Sequence, residues 1–188
     1  MTRASLDRHH GRMHGKSSMA FVLGAWLAGT LFMWAVATQN FRLVDRLLAS
    51  PSPQFSAHVA PLPPGDARLL MRYQASEVNR LFFDRWGWTQ LALGVILLGM
   101  AWRGSADRPL RIAALLMLLI AAGLQLGVVP ETIRLGRLLD FVPHSPGSLG
   151  PPEVAPFWRL HTAYTALDML KFLLGVFAAT RLLRGGPG

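Results

Sequence analysis

Apolar residues in this chain gather into four long blocks, and charged residues crowd into the segments between them. A soluble core protein interleaves apolar and polar residues at helical or strand periods, so segregation on this scale constrains the fold more than any motif does. The expected fold class is all-α: a polytopic membrane protein built as a four-transmembrane-helix bundle. The content of the blocks supports this. Hydrophobic residues make up 52% of the chain and charged residues 15%, where a typical soluble domain is about a quarter charged.

The first block, residues 17–38, carries no charge and has about the 20 residues needed to cross a hydrocarbon core. Ala35-Val36-Ala37 resembles a signal-peptide cleavage site, but the apolar stretch is longer than the roughly 7–15 residues of a signal core, so a retained span is expected. Ala25, Ala28 and Gly29 give it a strip of small residues where another helix could approach. The second block, about 86–102, is closed at each end by Trp, the usual interfacial anchor. The third covers about 110–129, with Pro109 suited to a helix start and Pro130 expected to kink the helix without ending it. The fourth covers about 158–181. Together these form one membrane domain, 17–184, preceded by a disordered basic tail (1–16) and followed by a flexible tail (185–188).

The outer connections are expected at 39–85 and 130–157. Residues 39–65 read as irregular because Pro51, Pro53, Pro61, Pro63 and Pro64 remove backbone donors, apart from a short interfacial helix between Gln39 and Ser50. Asp66 is a candidate N-cap. No breaker follows it, so one helix of roughly 55 Å over 66–102 is expected, too long to lie wholly within a core of about 30 Å. Met71, Ala75, Val78, Phe82 and Trp86 form its apolar stripe. Glu77, Arg80 and Asp84, with Glu131, Arg134, Arg137 and Asp140 from the third helix, are expected to form an outer charge network. Residues 141–156, rich in proline, read as a loop.

Basic residues mark the other side. Arg3, Arg8, Arg12 and Lys16 lie in the first tail, Arg103, Arg108 and Arg111 in the short turn, and Arg181 and Arg184 at the end of the fourth block. Lys and Arg in short loops hold those loops on the cytoplasmic side, which places both termini in the cytoplasm and the protein in the cell inner membrane. The net charge of +9 is accounted for by this pattern. The basic residues flank apolar blocks and are not clustered with exposed aromatics, so no nucleic-acid partner is expected.

Chemistry is concentrated on the fourth span. His161, Tyr164, Thr165, Asp168 and Lys171 occupy about 120° of one helical face. A charge at mid-membrane costs at least about 2.5–3.5 kcal/mol and is tolerated when turned inward and paired; Asp168 and Lys171 at i, i+3 can pair with each other, or Lys171 can snorkel to an interface. They form either an internal ion pair that fixes packing or a proton relay lining a crevice, with Gln90 or Gln125 opposite; Thr89 adds a further neutral polar group. There is no cysteine, which excludes disulfides and thiolate chemistry. No Gly-x-Ser-x-Gly, Walker loop or HExxH is present, so no catalytic residues and no metal ligands are assigned. A haem would need axial His or Met on facing helices. His161 is the one histidine within a span; His58 and His144 lie in outer loops, and Met33, Met100, Met117 and Met169 within spans.

"LFFDRWGWTQLALGVILL", "PETIRLGRLLDF" and "FWRLHTAYTALDMLKFLLG" together resemble a bacterial domain-of-unknown-function family of small four-span membrane proteins, related to eukaryotic four-span transmembrane proteins. The likeness covers about residues 66–180 and includes the Phe-x-x-x-His of Phe157 to His161. It implies a four-helix membrane fold and no particular activity. The expected function is therefore an accessory, assembly or structural component of a membrane complex or oligomer, partnered by lipid and by other membrane chains or itself. A proton-coupled or ion-conducting transporter is the alternative, and a haem- or metal-binding redox subunit the third reading.

Overall fold

A computed structural model describes residues 3–104, 106–142 and 151–184, with side chains from Gly15 onward. Every regular element among these residues is helical. They are α1 (Arg3–Ala49), α2 (Pro53–Val59), α3 (Asp66–Arg103), α4 (Arg108–Leu139) and α5 (Val154–Arg184). Two stretches, Gly15–Ala49 of α1 and Arg108–Leu139, are long and apolar enough to cross a membrane.

Each long helix runs antiparallel to the two it touches. Met19 of α1 lies beside Gly104 at the end of α3, Trp26 reaches Gln90, and Asn40 reaches Asn79. Gly94 and Leu118 join α3 to α4, Gly175 and Met117 join α4 to α5, and Trp34 reaches Asp168 to join α1 to α5. The core is built on Leu23, Trp26, Leu97, Ala114, Met117 and Ala178. Small residues at Ala101, Ala114 and Ala178, each fully buried, let the backbones close up.

Several boundaries depart from the sequence expectation. The helix begins at Arg3, so the expected disordered tail is helical from that residue; the side chains of Arg3, Arg8 and Arg12 lie outside the described residues. Helix α1 also runs through Thr38 to Ala49 without a break. The apolar block ends at Thr38, but nothing stops helical hydrogen bonding before Ser50-Pro51, so the expected separate interfacial helix is the end of α1. The Pro-rich connection holds a helix of its own, with Pro53 in its first turn and Ser52 capping it through Phe55 N at 3.2 Å. At α3 the cap is Gly65, whose φ of 93° suits a residue without Cβ; Asp66 is the first helical residue instead. The buried stripe of α3 is Ala75, Asn79, Gly87, Gln90, Gly94, Leu97 and Ala101. Phe82, on the expected apolar stripe, is 43% exposed; α1 covers the Asn79 side, where Asn40 Nδ2 donates to Asn79 Oδ1 and Asn79 Nδ2 donates to Ala37 O. Helix α5 begins at Val154, shortening the expected loop; residues 143–150, with His144, and the 185–188 tail lie outside the described residues.

Pro130 does not end α4. Leu124–Val128 form a π-helical turn, in which Val129 N–H donates to Leu124 O. Proline lacks the amide hydrogen and its ring crowds the preceding turn. The widened turn absorbs this and adds a residue to one turn of the helix.

Candidate functional site

The two charges of α5 lie in the interior, Asp168 at 2% and Lys171 at 1% exposure. One turn apart, Lys171 donates to Asp168 Oδ1 and also to Gln90 Oε1 of α3. Two indoles of α1 complete the set. Trp34 Nε1 donates to Asp168 Oδ2 at 2.7 Å, and Trp26 Nε1 donates to Gln90 Oε1 at 3.0 Å. Trp26 and Trp34 are eight residues apart, so they project from one side of α1. Both carboxylate oxygens are thus paired, and the ammonium has two acceptors. Thr30, also buried, returns its hydroxyl to Trp26 O at 3.0 Å. Three helices are cross-linked by one closed polar network. Sequence reading found Asp168, Lys171 and Gln90 but missed both tryptophans, which look like ordinary apolar filler until their N–H groups need partners.

The rest of the predicted face does not join them. His161 points the same way as Asp168 two turns earlier, but there the helices part. The residue is exposed overall, its ring stacked on Phe157 at 6.1 Å and edge-on to Trp158 at 5.4 Å. Thr165 lies on the exposed flank and donates to His161 O at 2.9 Å. Tyr164 is half-buried and meets Phe83 edge-to-face at 5.5 Å. Where the helices part, a cleft of about 160 Å³ opens between Asn79, Arg80, Phe83, Thr132, His161 and Tyr164. Its nearest wall residue, Tyr164, is one turn from Asp168.

Gln125, the alternative to Gln90 opposite the crevice, lies elsewhere. In the π-helical turn it donates from Nε2 to Asp84 Oδ1 at 3.1 Å. This fixes the amide orientation, since Asp84 is an acceptor, and it leaves Oε1 buried with no hydrogen-bond partner. The amide lies directly against Gly87, where any Cβ would overlap it. Thr89 is exposed and donates to Arg85 O at 2.9 Å within its own helix.

The outer charge network forms in part. Arg80 donates to both oxygens of Asp140, at 2.7 and 2.6 Å, and to Glu77 at 2.5 Å. Arg137 approaches Glu77 at 3.6 Å. With side-chain exposures of 13% and 6%, Arg80 and Asp140 clamp α3 to the C-terminal end of α4 by a bidentate, partly desolvated pair. Burial pushes the Arg80 guanidinium down, but the hydrogen bonds to Asp140 and Glu77 outweigh it and its pKa rises. The hydrogen bond from Arg80 holds the Glu77 carboxyl below its ordinary value. Glu131 and Arg134 pair with each other on the exposed face, and Asp84 is committed to Gln125, so among the described residues these three stand outside the network. At the opposite end Asp107 caps α4 through Leu110 N at 3.0 Å and pairs with Arg181, whose hydrogen bond lowers the Asp107 pKa.

Among the described residues, no three His, Asp or Glu side chains converge as metal ligands would. Met33 and Met117 are buried, Met169 is 43% exposed, and His58 contacts Gln54 O of its own helix at 2.8 Å. No protein-family model, curated protein or solved structure matches this chain.

Proposed function

We propose that this chain is a multi-pass protein of the cell inner membrane, that α1, α3, α4 and α5 cross the bilayer as a four-helix bundle with both termini cytoplasmic, and that it serves as a non-catalytic accessory or assembly component of a membrane complex or oligomer. One observation carries the reading: the long helices turn apolar side chains outward while a paired cluster of charged and polar side chains lies inside. Thr30, Asn79, Gln90, Gln125, Asp168 and Lys171 are buried, while Phe21, Phe32, Val95, Ile96, Leu119, Leu126, Leu173 and Phe177 face outward. Soluble monomers rarely expose apolar patches beyond a few hundred Å², and in lipid the arrangement is the favourable one. The buried charges are consumed by partners within the chain, so what the molecule offers its surroundings is apolar helix surface. Orientation rests on the basic end, where Lys16, Arg103, Arg108, Arg111 and Arg181 gather, against the Glu77–Asp140 end. Because the chain has no cysteine, single engineered cysteines report topology without background. Ser105→Cys should be labelled by impermeant reagents only from the cytoplasm and Ser145→Cys only from outside; the reverse result sinks the topology. For the accessory role, mild-detergent purification at native expression with mass spectrometry should return a partner chain or an oligomer. A lone monomer overturns it.

A second reading, proton or ion movement along α5, is favoured by the cleft between Asn79, His161 and Tyr164 that ends one turn from Asp168. Asp168→Asn with Lys171→Met removes both charges together. Under this reading, pH-dependent flux in proteoliposomes is present in the wild type and lost in the double variant.

A further inference from the structure

At the basic end of the molecule α1 and α3 do not close completely. Between them and α4 lies a groove of about 1080 Å³, at the upper limit of the roughly 300–1,000 Å³ typical of ligand pockets. Its wall descends along α3 from Gly104 to Val95, about 14 Å of helix at 1.5 Å per residue, and ends on Leu118 of α4. That wall is apolar: Met19, Val95, Ile96, Leu98, Met100 and Leu118. Gly99 lies along it, and a Cβ there would meet nothing within 4 Å, so the missing side chain leaves space that no neighbour fills. The polar groups are all at one end. Lys16 and Arg103 both line the groove there, and the antiparallel packing of α1 on α3 sets them level with each other. Trp102, 63% exposed, stands beside Arg103.

A long apolar trough with two cations at its mouth has the shape and charge of one class of molecule. We infer that this groove holds an acyl chain of an anionic phospholipid from the cytoplasmic leaflet, with its phosphate met by Arg103 and Lys16. The inference rests on the four-span, cytoplasmic-ends reading. In that orientation the mouth opens at the depth of the inner headgroups, where anionic lipids attract basic side chains. A helix of a second chain would also fit an apolar wall, but it would set no use for two cations at one end. A zwitterionic lipid would fill the trough but bring no net negative charge to its basic mouth.

The test uses the full-length chain, reconstituted in vesicles of equal parts phosphatidylglycerol and phosphatidylcholine, extracted in mild detergent and weighed by native mass spectrometry. The wild type should retain phosphatidylglycerol in preference to phosphatidylcholine. Gly99→Phe, which fills the trough, should lose the bound lipid, while Gly99→Ala keeps it. Lys16→Gln with Arg103→Gln should lower the preference for phosphatidylglycerol by about fivefold per charge removed. Retention of no lipid by the wild type, equal retention of the two lipids, or indifference to both variants overturns the proposal. A second copy of the chain released by Gly99→Phe does so as well. If Gly99→Phe does not fold, the two glutamine substitutions at the solvent end decide alone. Alkaline carbonate extraction separates the two readings. A chain washed off vesicles fails the membrane reading itself, whereas a chain that stays inserted without retaining phosphatidylglycerol fails only the lipid assignment.

Discussion

Trp34 gives its indole N–H to Asp168 across the α1–α5 contact at 2.7 Å, and so satisfies the carboxylate oxygen that Lys171 does not reach. The buried charge pair therefore depends on a residue with no charge, on the helix farthest from it in the chain. Trp34→Phe keeps most of the packing and removes the donor. A buried acceptor left without its partner costs about 1–3 kcal/mol. Trp26→Phe should cost less, because Gln90 Oε1 keeps Lys171 as a donor. Thermal unfolding of the two variants in one detergent should rank them in that order; equal losses would show that indole packing, not the N–H, matters.

Lys171→Met leaves Asp168 charged and buried with a single donor, and breaking such a pair typically costs about 3–5 kcal/mol. Adding Asp168→Asn should recover much of that loss, since neither charge is then stranded. A double-mutant cycle on unfolding midpoints gives the coupling. A double variant as unstable as Lys171→Met alone would refute the pairing account.

Gly87 and Gly123 make opposed predictions for the same chemical change. A methyl at Gly87 overlaps the Gln125 amide, so Gly87→Ala should destabilise by about 1–3 kcal/mol through overpacking. A methyl at Gly123 meets nothing within 4 Å, and Gly123→Ala should stabilise α4 by about 0.5–1 kcal/mol. Paired melting curves check the sign of each.

Arg80→Lys keeps the charge and loses the fork that grips both Asp140 oxygens. Hydrogen exchange should rise in residues 131–139 and stay unchanged around residue 168. The same cluster sets a pH dependence. Arg80 holds Glu77 below its ordinary value of 4.5, so Glu77 binds protons more readily in the unfolded chain. Its contribution is complete above pH 4.5 and declines as pH falls through the lowered native value. Glu77→Gln should remove that acid-side loss from exchange profiles of the N-terminal half of α3 and the C-terminal end of α4.

Much of the architecture was readable from residue order. The 66–102 helix was expected within one residue of its observed end because a Pro-Gly turn opens it and no breaker follows. The apolar blocks gave the long helices but not their lengths, since hydropathy at Thr38 marks where apolar composition stops and not where hydrogen bonding does. Asp168, Lys171 and Gln90 could be singled out because charge and amide groups are costly in an apolar helix. Trp26 and Trp34 could not, because their role exists only once α1 has a rotational setting against α3 and α5. The choice between Gln90 and Gln125 stayed open for a related reason. Gln125 lies at the start of the π-helical turn, and only the packing of α3 on α4 sets its amide against Asp84 and Gly87.

The hydrogen bond from Trp34 to Asp168 spans 134 residues of sequence, which gives the molecule a biosynthetic order. Helix α5 is made last of the four, and it is the one whose charges need partners on helices already made. While α1 and α3 stand undocked, Asp168 and Lys171 have only each other. Until α5 docks, Asp168 lacks Trp34 and Lys171 lacks Gln90, and docking supplies both only if α1 and α3 already stand in register. The costliest pair of residues in the sequence makes completion of the last helix conditional on correct placement of the first.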